Sequence, residues 1–411
     1  MEPIVLSFED ARRRVEQAAS EVHTPEAEEC QLLRCGGRVL AETVLADRDF
    51  PPFPRATRDG YALRAATVAT VPARLKLVGE IRAGGPPQSL EIHERECVEI
   101  MTGAPVPGSA DAVVMVEHTS RTGGTVEIQR RVVAGENIVP AGAEAKRGDA
   151  LLRSGTRLSP AAVAVAGSCG RRELHVFKRP RVAILSTGDE LVDIAAVPAA
   201  NQIRNSNSYS LAAQVNAAGG VPVVLPIAPD EVRQLRRLVQ EGLASELLLM
   251  SGGVSMGKYD LVEQALHELG AEFFFTGAQI QPGRPVVFGR APARSGAQPT
   301  YFFGLPGNPV STMVCFELFA RAMVEALGGA KAHKMMFTQA RLKSDVKVKT
   351  GLTRFLPAIL SGEYERTEVE LVRWQGSGDM AATARANCYL VVPPDREKLA
   401  AGEMVSILPA E

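Results

Sequence analysis

The sequence predicts a multidomain protein of the α/β class, built around a doubly wound, mostly parallel sheet. The chain has 411 residues, which at roughly 150 residues per domain is long for a single domain. Apolar strand-like runs alternate with helical patterns through the middle third, as in parallel sheets that carry helices on both faces. The flanking regions contain short β-type runs separated by glycine and proline turns, which indicates smaller β-rich and α+β domains.

The N-terminal region is predicted to start with an amphipathic helix. Ser7 is expected to cap it, and Asp10 occupies the capping-box position. Ala11, Val15 and Ala18 recur at helical spacing and predict the buried face.

The next region, from about Asp47 to Gly142, has the pattern of a small β-rich module. Its clearest β-type runs are Val113–Val116 and Val126–Ile128. A strand and a helix are predicted over 148–166, where Ser159 precedes a proline at the first helical position.

The middle third carries the regular alternation. Strands are predicted at Arg181–Ser186, Val221–Pro226, Leu247–Ser251, Phe273–Phe275, Val286–Gly289 and Tyr301–Gly304. Helices are predicted at Ser208–Ala218, Asp230–Ala244, Lys258–Leu269 and from Pro309 onward. After about Gly329 short strands return, most clearly at Val369–Trp374 and Tyr389–Val392, which indicates a separate small β domain.

Charge and cysteine usage narrow the function classes. The 46 basic and 47 acidic residues give a formal net charge of −1, so nucleic acid and anionic membrane surfaces are not expected as partners. No uninterrupted apolar run predicts a transmembrane helix, and the first residues lack a signal-peptide pattern. The six cysteines form no CxxC pair, and reduced thiols in a cytoplasmic protein are expected.

Three loops at the predicted carboxyl ends of the central strands are candidates for ligand binding, because open α/β sheets bind ligands at that edge. They are Ser186–Leu191 (STGDEL), Ser251–Asp260 (SGGVSMGKYD) and Gly304–Ser311 (GLPGNPVS). The glycines of the second loop allow backbone N–H groups to approach a phosphate. In the third loop Asn308 is expected as N-cap, with Pro309 opening the helix. Together the loops favour a phosphorylated ligand, although the GxxxxGK[ST] and GxGxxG patterns are absent.

Four carboxylates are expected beside that ligand: Asp189, Glu190, Asp230 and Asp260. Acidic groups next to a phosphate suit a bridging divalent cation such as Mg²⁺, or acid–base chemistry. Asp230 has a second interpretation as the N-cap of its own helix, and both roles are compatible.

Two loops of the β-rich region also have an unusual composition. They are Pro51–Ala62 (PPFPRATRDGYA) and Ile100–Pro105 (IMTGAP). Their density of proline and glycine indicates a fixed backbone shape, which suits either a site or a stiff connector.

These motifs together resemble one family, the molybdopterin molybdenumtransferases or molybdenum insertases, also found as the C-terminal domain of gephyrin. The matching stretches follow the family's order over nearly the whole chain. They are RDGYAL at Arg58–Leu63, IMTGAPVPGSADAVVMVE at Ile100–Glu117, LSTGDEL at Leu185–Leu191, SGGVSMGKYD at Ser251–Asp260, QPGRPVVFG at Gln281–Gly289 and GLPGNPVS at Gly304–Ser311.

The resemblance implies an elongated, four-domain homodimer with a molybdopterin-binding α/β domain. The expected boundaries are 1–46 with 143–177 for a discontinuous linker and dimerisation domain, 47–142 for an inserted β-rich domain that carries the DGYA loop, 178–328 for the α/β domain and 329–411 for a C-terminal β domain. The implied activity is that of a Mg²⁺-dependent transferase, which hydrolyses adenylylated molybdopterin and inserts molybdate into the dithiolene with release of AMP. Implied protein partners are an upstream adenylyltransferase and downstream molybdoenzyme chaperones.

The resemblance also assigns roles to individual residues. The implied catalytic positions are Asp59, Thr102, Glu190, Asp230 and Asp260. The implied pterin-phosphate loops contain Thr187, Gly188, Gly252, Gly253, Ser255, Pro306, Gly307, Asn308 and Pro309. The implied molybdate ligands are Arg284, Pro285, Arg354 and Ser377, and the Mg²⁺ candidates are Asp189, Glu190 and Asp260. Arginine suits molybdate because its planar fork offers paired donors to an oxyanion.

Several positions depart from the family pattern. Gln281 and Arg284 stand where lysine is usual, Arg58 replaces methionine, and Asn205 and Glu144 replace aspartate. The lost lysine charge is expected to weaken oxyanion affinity or to change the preferred anion. Arg58 is expected to pair with Asp59 or to lower its pKa.

Two other functions fit parts of the pattern. A molybdopterin-binding scaffold without turnover would keep the fold, and a long linker or an added domain would favour it. A molybdopterin adenylyltransferase would share the α/β loops but would not need the Asp59 and tail-domain features.

Overall fold

A computed structural model of the chain describes residues 3–84, 90–253, 261–292, 298–331 and 335–410. Ser7 caps the first helix as predicted, because its Oγ accepts a hydrogen bond from the Asp10 backbone N–H over 3.0 Å. The predicted face of Ala11, Val15 and Ala18 is buried. The elements of this region are β1 (Val5–Leu6), α1 (Phe8–Ser20), β2 (Ala27–Gln31) and β3 (Val44–Leu45).

The β-rich module forms a six-stranded sheet in the order β8-β5-β7-β6-β10-β9. Successive side chains of β5 point to opposite faces: Tyr61 and Leu63 belong to one apolar core, and Ala62 belongs to the other. Both faces of the central strand are therefore covered. The strands are β4 (Arg55–Ala56), β5 (Gly60–Leu63), β6 (Ala73–Ile81), β7 (Glu96–Ile100), β8 (Ala112–Met115), β9 (Thr119–Thr122), β10 (Thr125–Ile128) and β11 (Ile138–Val139).

The chain then returns to the strands that precede the β-rich module. It forms β12 (Ala150–Leu152), α2 (Pro160–Ser168) and β13 (Glu173–Phe177). Strand β12 pairs with β3, and β13 pairs with β2, both antiparallel. Ser159 caps α2, with its Oγ 3.2 Å from the Ala162 backbone nitrogen. Leu40, Leu158 and Val176 lie in the core that these segments share, so the β-rich module is an insertion between them.

The middle third is a doubly wound α/β domain, as predicted. Its six-stranded sheet has the order β17-β14-β18-β23-β22-β19, and the first four strands are parallel. Its strands are β14 (Arg181–Ser186), β15 (Leu191–Val192), β16 (Ile203–Arg204), β17 (Val221–Val224), β18 (Leu247–Ser251), β19 (Glu272–Phe275), β20 (Gly277–Ala278), β21 (Ile280–Gln281), β22 (Val287–Ala291) and β23 (Thr300–Leu305). Its helices are α3 (Asn207–Ala217), α4 (Val232–Gly242), α5 (Leu261–Glu268), α6 (Pro309–Cys315) and α7 (Arg321–Leu327), and a π-helical turn at Phe316–Ala320 joins the last two.

Helices cover both faces of this sheet. On β14, Val182 and Ile184 face the core formed with α3, α6 and α7. Ala183 and Leu185 face the opposite core, which contains α4 and α5. This alternation on a continuously apolar strand is the signature of a strand that is buried on both sides.

The first helix packs with the α/β domain. Strand β1 runs parallel to β20, and Phe8 and Val15 lie in the core that contains Phe319 of the π-helical turn. Residues 5–20 thus join the α/β domain, whereas the predicted boundary groups them with 143–177. An amphipathic face shows that a helix is buried but does not specify against which partner.

The C-terminal region is a small barrel. Strands β26, β27, β24, β30 and β28 pair in turn, and β28 pairs again with β26, which closes the sheet. Phe355 packs edge-on against Phe8 with ring centroids 5.0 Å apart, so the barrel rests on the α/β domain. The elements are β24 (Thr338–Leu342), β25 (Val346–Lys347), β26 (Thr353–Ser361), β27 (Glu368–Leu371), α8 (Met380–Thr383), β28 (Cys388–Val392), β29 (Lys398–Leu399) and β30 (Met404–Pro409).

Candidate functional site

The strand order of the α/β sheet creates a crevice at the carboxyl ends of β14 and β18. In chain order, β14 is the first strand of this sheet. The next strand, β17, lies on one side of it, and the one after that, β18, lies on the other. Ligands of doubly wound sheets bind where the strand order reverses in this way. Ser186 and Ser251 end the two strands directly opposite each other, and the Thr187 backbone N–H donates to Ser251 O over 3.0 Å.

A buried polar network lies at this crevice. Ser186 Oγ is 2.9 Å from Ser208 Oγ and 3.2 Å from Ser251 Oγ. Asn207 Nδ2 donates to Ser251 Oγ over 3.3 Å and to Gly307 O over 2.8 Å, so the network also reaches the third predicted loop. Asn205 donates to Ser208 Oγ over 2.9 Å, a role that an aspartate carboxylate does not perform.

Two buried atoms at the crevice lack a partner within the part of the chain that the structure describes. Thr187 Oγ1 and Asn207 Oδ1 have no hydrogen-bond partner among the residues that the structure describes. A buried polar atom left unpaired costs about 1–3 kcal/mol, so such atoms are expected where a ligand or water completes the bonding.

The glycines of the first two loops have conformations and contacts that exclude side chains. Gly188, Gly252 and Gly253 have φ values of +142°, +87° and +66°. A Cβ on Gly252 would lie 2.5 Å from Thr187 O, and one on Gly253 would lie 2.8 Å from Thr187 Oγ1. A Cβ on Gly307 would lie 3.6 Å from the Gly252 Cα, so the second and third loops are in contact. The glycines therefore let three backbone segments converge.

Three of the four predicted carboxylates lie together. The Asp230 backbone N–H donates to Asp189 Oδ1 over 3.0 Å. Burial raises the pKa of Asp230, and the negative charges of Asp189 and Glu190 raise it further. Helix α4 begins at Val232 with Glu231 as its N-cap, so the interpretation of Asp230 as the N-cap is wrong.

Two predicted residues, Ser255 and Asp260, lie outside the residues that the structure describes. The same holds for the first three residues of the helix predicted at Lys258–Leu269, whose described part is α5.

The third loop leads into α6 and contacts the C-terminal barrel domain. Asn308 is the N-cap by position, but its side chain makes no capping hydrogen bond. Thr312 Oγ1 donates to Pro306 O over 2.5 Å, which fixes the loop. The Val310 backbone N–H donates to Ser377 O over 3.0 Å, so one of the N–H groups that begin α6 is occupied by the tail domain.

The remaining predicted molybdate ligands lie near the pairing of the short strand β21 with β26 of the barrel. Gln281 pairs in register with Arg354 of the barrel. The Arg354 side chain is buried and donates to Lys349 O from Nε over 3.1 Å and from Nη2 over 2.6 Å. Burial lowers the pKa of Arg354. Arg284 is exposed and Pro285 is half-buried. Of the two arginines, Arg284 therefore offers the more accessible guanidinium.

Asp59 and Thr102 form a close pair in the β-rich domain. Asp59 Oδ1 accepts hydrogen bonds from the Thr102 backbone nitrogen over 2.6 Å and from Thr102 Oγ1 over 2.8 Å. These two bonds lower the pKa of Asp59. The expectation for Arg58 is wrong, because its Nη1 donates to Thr57 O over 3.4 Å and is not a cause of the lowered pKa.

The contacts recorded for the described residues do not join this pair to the acidic cluster. The hydrogen bonds of Asp59 stay within the β-rich domain. The charges that act on Asp230 are those of Asp189 and Glu190, both in the α/β domain.

Sequence reasoning missed two residues of the buried network, Asn207 and Ser208, and placed Ser186 in a candidate loop without a role of its own. A signal was present: single serines end two otherwise apolar strands, RVAILS and LLLMS. A polar run, Asn205–Ser208, also precedes the apolar part of α3.

Comparisons with known proteins identify the family. A molybdopterin molybdenumtransferase of Synechocystis is 34% identical over 371 residues, which cover 89% of this chain and 91% of that protein. The chain belongs to the molybdopterin molybdenumtransferase family. Relatives with that name in Bacillus subtilis and Haemophilus influenzae are 31% and 30% identical and cover 90% and 98% of this chain and 87% and 98% of their own.

Family descriptions and solved structures agree with this membership. The chain matches the MoeA N-terminal region (domain I and II) over 6–170, the "probable molybdopterin binding domain" over 183–326 and the MoeA C-terminal region (domain IV) over 339–410. A molybdopterin biosynthesis MoeA protein of Pyrococcus horikoshii superposes with a TM-score of 0.78 at 27% identity and covers 99% of this chain and 100% of its own. Within the described part of the molybdenumtransferase chain, none of the helices has the length and apolar character needed to cross a bilayer.

Proposed function

We propose that this chain performs molybdenum insertion in molybdenum cofactor synthesis. In this reaction it binds adenylylated molybdopterin, hydrolyses the adenylate and transfers molybdenum from molybdate to the dithiolene, with release of AMP. The observation that carries the proposal is the crevice between β14 and β18, where two buried oxygens without a partner among the described residues lie beside a carboxylate cluster. Relatives of nearly full-length coverage bear the name of this activity.

The proposed pterin-phosphate position is the convergence of the three loops. Thr187 Oγ1 would donate to a phosphate oxygen, because it has no partner among the described residues. The glycines at 252 and 253 would let the ligand approach the backbone. The hydroxyl and amide network beneath the loops holds them in one arrangement, so the site is organised before the ligand arrives.

Magnesium is proposed as a cation that binds together with the substrate. No group of three or more histidine, cysteine, aspartate or glutamate side chains is arranged to hold a metal ion in the described part of the chain. Mg²⁺ commonly binds through one or two carboxylates together with substrate phosphates and water. Asp189 and Glu190 would be its protein ligands, with Asp260 as a further candidate. The carboxylates of Asp189 and Glu190 support this assignment, because after burial they are the next causes of the raised pKa of Asp230 and form a negative charge that a cation would neutralise.

When bound, Mg²⁺ would supply charge neutralisation to the phosphoanhydride of the substrate. The protein would hold the carboxylates and the phosphate-binding loops in place around that bond. Glu190 and Asp230 are proposed to position the attacking water or to accept its proton, and the raised pKa of Asp230 suits a proton acceptor.

Molybdate is proposed to bind near the start of α6, between the α/β domain and the barrel. The hydrogen bond between Val310 N and Ser377 O supports this position, because it brings the tail domain to the third loop. Arg284 would donate to the oxyanion from its exposed guanidinium, and Ser377 and Pro285 would line the position. Arg354 would act mainly by fixing the neighbouring backbone, since two of its nitrogens donate to Lys349 O.

A homodimer is proposed to complete the site. The Asp59–Thr102 pair is held by two hydrogen bonds, and its contacts lie in the β-rich domain of its own chain. We infer that the pair of one subunit faces the acidic cluster of its partner. The upstream adenylyltransferase, the downstream molybdoenzyme chaperones and the cytoplasmic location stay predictions.

The proposal is tested by turnover of adenylylated molybdopterin with molybdate and Mg²⁺, with AMP release as the measurement. Wild-type protein is expected to release AMP only when both are present, and Glu190→Gln and Asp59→Asn are expected to abolish release. Glu231→Gln is the matched control, because this exposed carboxylate neighbours the cluster and caps α4 without a side-chain bond. AMP release at the wild-type rate by Glu190→Gln would overturn the assignment.

Two further results separate the alternatives. Binding of adenylylated molybdopterin without any AMP release would identify a scaffold. Formation of adenylate from ATP and metal-free molybdopterin would identify an adenylyltransferase.

A further inference from the structure

A second cavity lies at the junction of the N-terminal segment and the α/β domain. Its volume is about 310 Å³, and it lies between the turn at Gly36–Val39, the C-terminal end of α3 and the end of α7. Three arginines line it: Arg38, Arg157 and Arg179. The predicted phosphate loops lie at the other end of α3, beside Asn207. Because α3 has 11 residues and rises about 1.5 Å per residue, the two sites are roughly 16 Å apart.

The lining of this cavity has a surplus of positive charge. Against its three guanidinium groups stand one lining carboxylate, Glu325, and Glu28 outside the lining, whose Oε1 lies 2.5 Å from Arg38 Nη2. The Glu325 carboxylate is shared, because its Oε1 lies 3.7 Å from Arg157 and 3.9 Å from Arg321. Burial lowers the pKa of Arg179, and the positive charge of Arg38 lowers it further. Arg38 and Arg179 are therefore close enough to repel each other, and a bound anion would relieve that repulsion.

Backbone carbonyl groups hold the three arginines in position. Arg157 donates to Gly37 O over 3.1 Å and to Ala218 O over 3.3 Å. Arg179 donates to Gly219 O over 3.0 Å, and Arg38 donates to Phe177 O over 2.9 Å. These bonds also occupy carbonyls at the end of α3 that would otherwise repel an anion.

Each arginine keeps donors for a ligand. Arg38 bonds through Nη2 alone, so its Nε and Nη1 have no partner among the described residues. The same holds for Nε of Arg157 and for Nη1 of Arg179. Guanidinium forks with free, preorganised N–H groups are the usual protein partners of phosphate oxygens.

We propose that this cavity binds the phosphate group of a small phosphate monoester. The arginine set provides the recognition of a dianionic oxyanion. The volume lies at the lower end of the range for small organic ligands, which leaves room for a group attached to the phosphate. Inorganic phosphate shares the recognised chemistry and is the other possible source of the anion.

Gly36 provides a substitution that adds a carboxylate able to compete with a bound anion for the arginines. A Cβ at this lining position would meet no heavy atom within 4 Å, and the residue is outside the positive-φ region. Gly36→Asp therefore places a carboxylate at the lining of the cavity, and Gly36→Ala is the matched control without charge. Gly36→Ala is expected to unfold at or slightly above the wild-type temperature, and Gly36→Asp higher still, because its carboxylate would relieve the repulsion between the arginines.

Binding is measured by titration calorimetry on the full chain with glycerol 3-phosphate and, separately, inorganic phosphate at low ionic strength. We expect wild type and Gly36→Ala to bind glycerol 3-phosphate equally, and Gly36→Asp to bind it at least tenfold more weakly. Stronger binding of the ester than of inorganic phosphate supports a monoester site, and equal binding supports recognition of the phosphate group alone. Absence of binding to wild type, or unchanged binding to Gly36→Asp, would overturn the proposal.

Discussion

Replacement of Thr187 by valine separates the stability of the crevice from its ligand binding. Thr187 is buried, and its Oγ1 has no hydrogen-bond partner among the described residues. Valine keeps the branched shape of threonine and removes only the hydroxyl. If the hydroxyl exists for the ligand, its removal leaves the free protein intact or more stable, and the loss appears on binding.

The structure sets the size of both effects. A buried hydroxyl without a partner costs about 1–3 kcal/mol, so Thr187→Val is expected to raise the free energy of unfolding by up to that amount. A hydrogen bond to a charged phosphate is worth about 1.5–3 kcal/mol, which corresponds to a roughly 10- to 150-fold weaker affinity for adenylylated molybdopterin.

Thr312→Val is the matched control in the same domain. Thr312 is fully buried, but its hydroxyl donates to Pro306 O over 2.5 Å, so its removal leaves a carbonyl without its donor. This variant is expected to lose about 1–3 kcal/mol of stability. Urea unfolding followed by circular dichroism measures the stabilities, and titration calorimetry measures the affinity. Equal destabilisation by the two substitutions would refute the reasoning, as would unchanged affinity in Thr187→Val.

Three further predictions follow from the structure. Asp230→Asn is expected to raise the free energy of unfolding at pH 7, because the pKa of Asp230 is raised in the folded state. This gain in the free energy of unfolding should shrink as the pH falls through that pKa. A gain that does not depend on pH would contradict the prediction. Thr102→Val removes one of the two donors that lower the pKa of Asp59. The acidic limb of the pH profile of AMP release should therefore move to higher pH. An unchanged acidic limb would exclude Asp59 as the group that sets it. Phe355→Ala is expected to lower the free energy of unfolding by about 3–5 kcal/mol, because the ring is fully buried against the α/β domain. Urea unfolding followed by the fluorescence of the single tryptophan, Trp374, measures this loss. A loss below about 1 kcal/mol would argue against that packing.

The sequence predicted best what depends on local pattern. The strands at Arg181–Ser186 and Leu247–Ser251 have the predicted bounds, because each is a continuous apolar run between turn residues. The caps at Ser7 and Ser159 were also predictable, since a serine followed by a helical pattern specifies a local hydrogen bond.

Features that depend on tertiary placement were not predictable in this way. The partner of α1 was missed, because its apolar face fits any apolar surface. Asp230 was ambiguous, because an acidic residue before a helix is equally compatible with capping and with a place beside Asp189. The serine network emerged only once the sheet register set Ser186 opposite Ser251. Each of these features depends on residues far apart in the sequence.

The pairing of β21 with β26 has a consequence for how oxyanion selectivity can change. Two main chains from different domains share one hydrogen-bonded ladder, so the spacing between the backbone at Gln281 and at Arg354 is set by sheet geometry. Side chains along that ladder can be exchanged while the distance between their attachment points stays constant. The glutamine at 281 lies on this ladder, whereas Arg284 lies beyond the end of β21. At the molybdate position proposed above, a substitution at 281 would therefore change the side chain offered to the anion on an unchanged frame, without renewed optimisation of the interface between the domains.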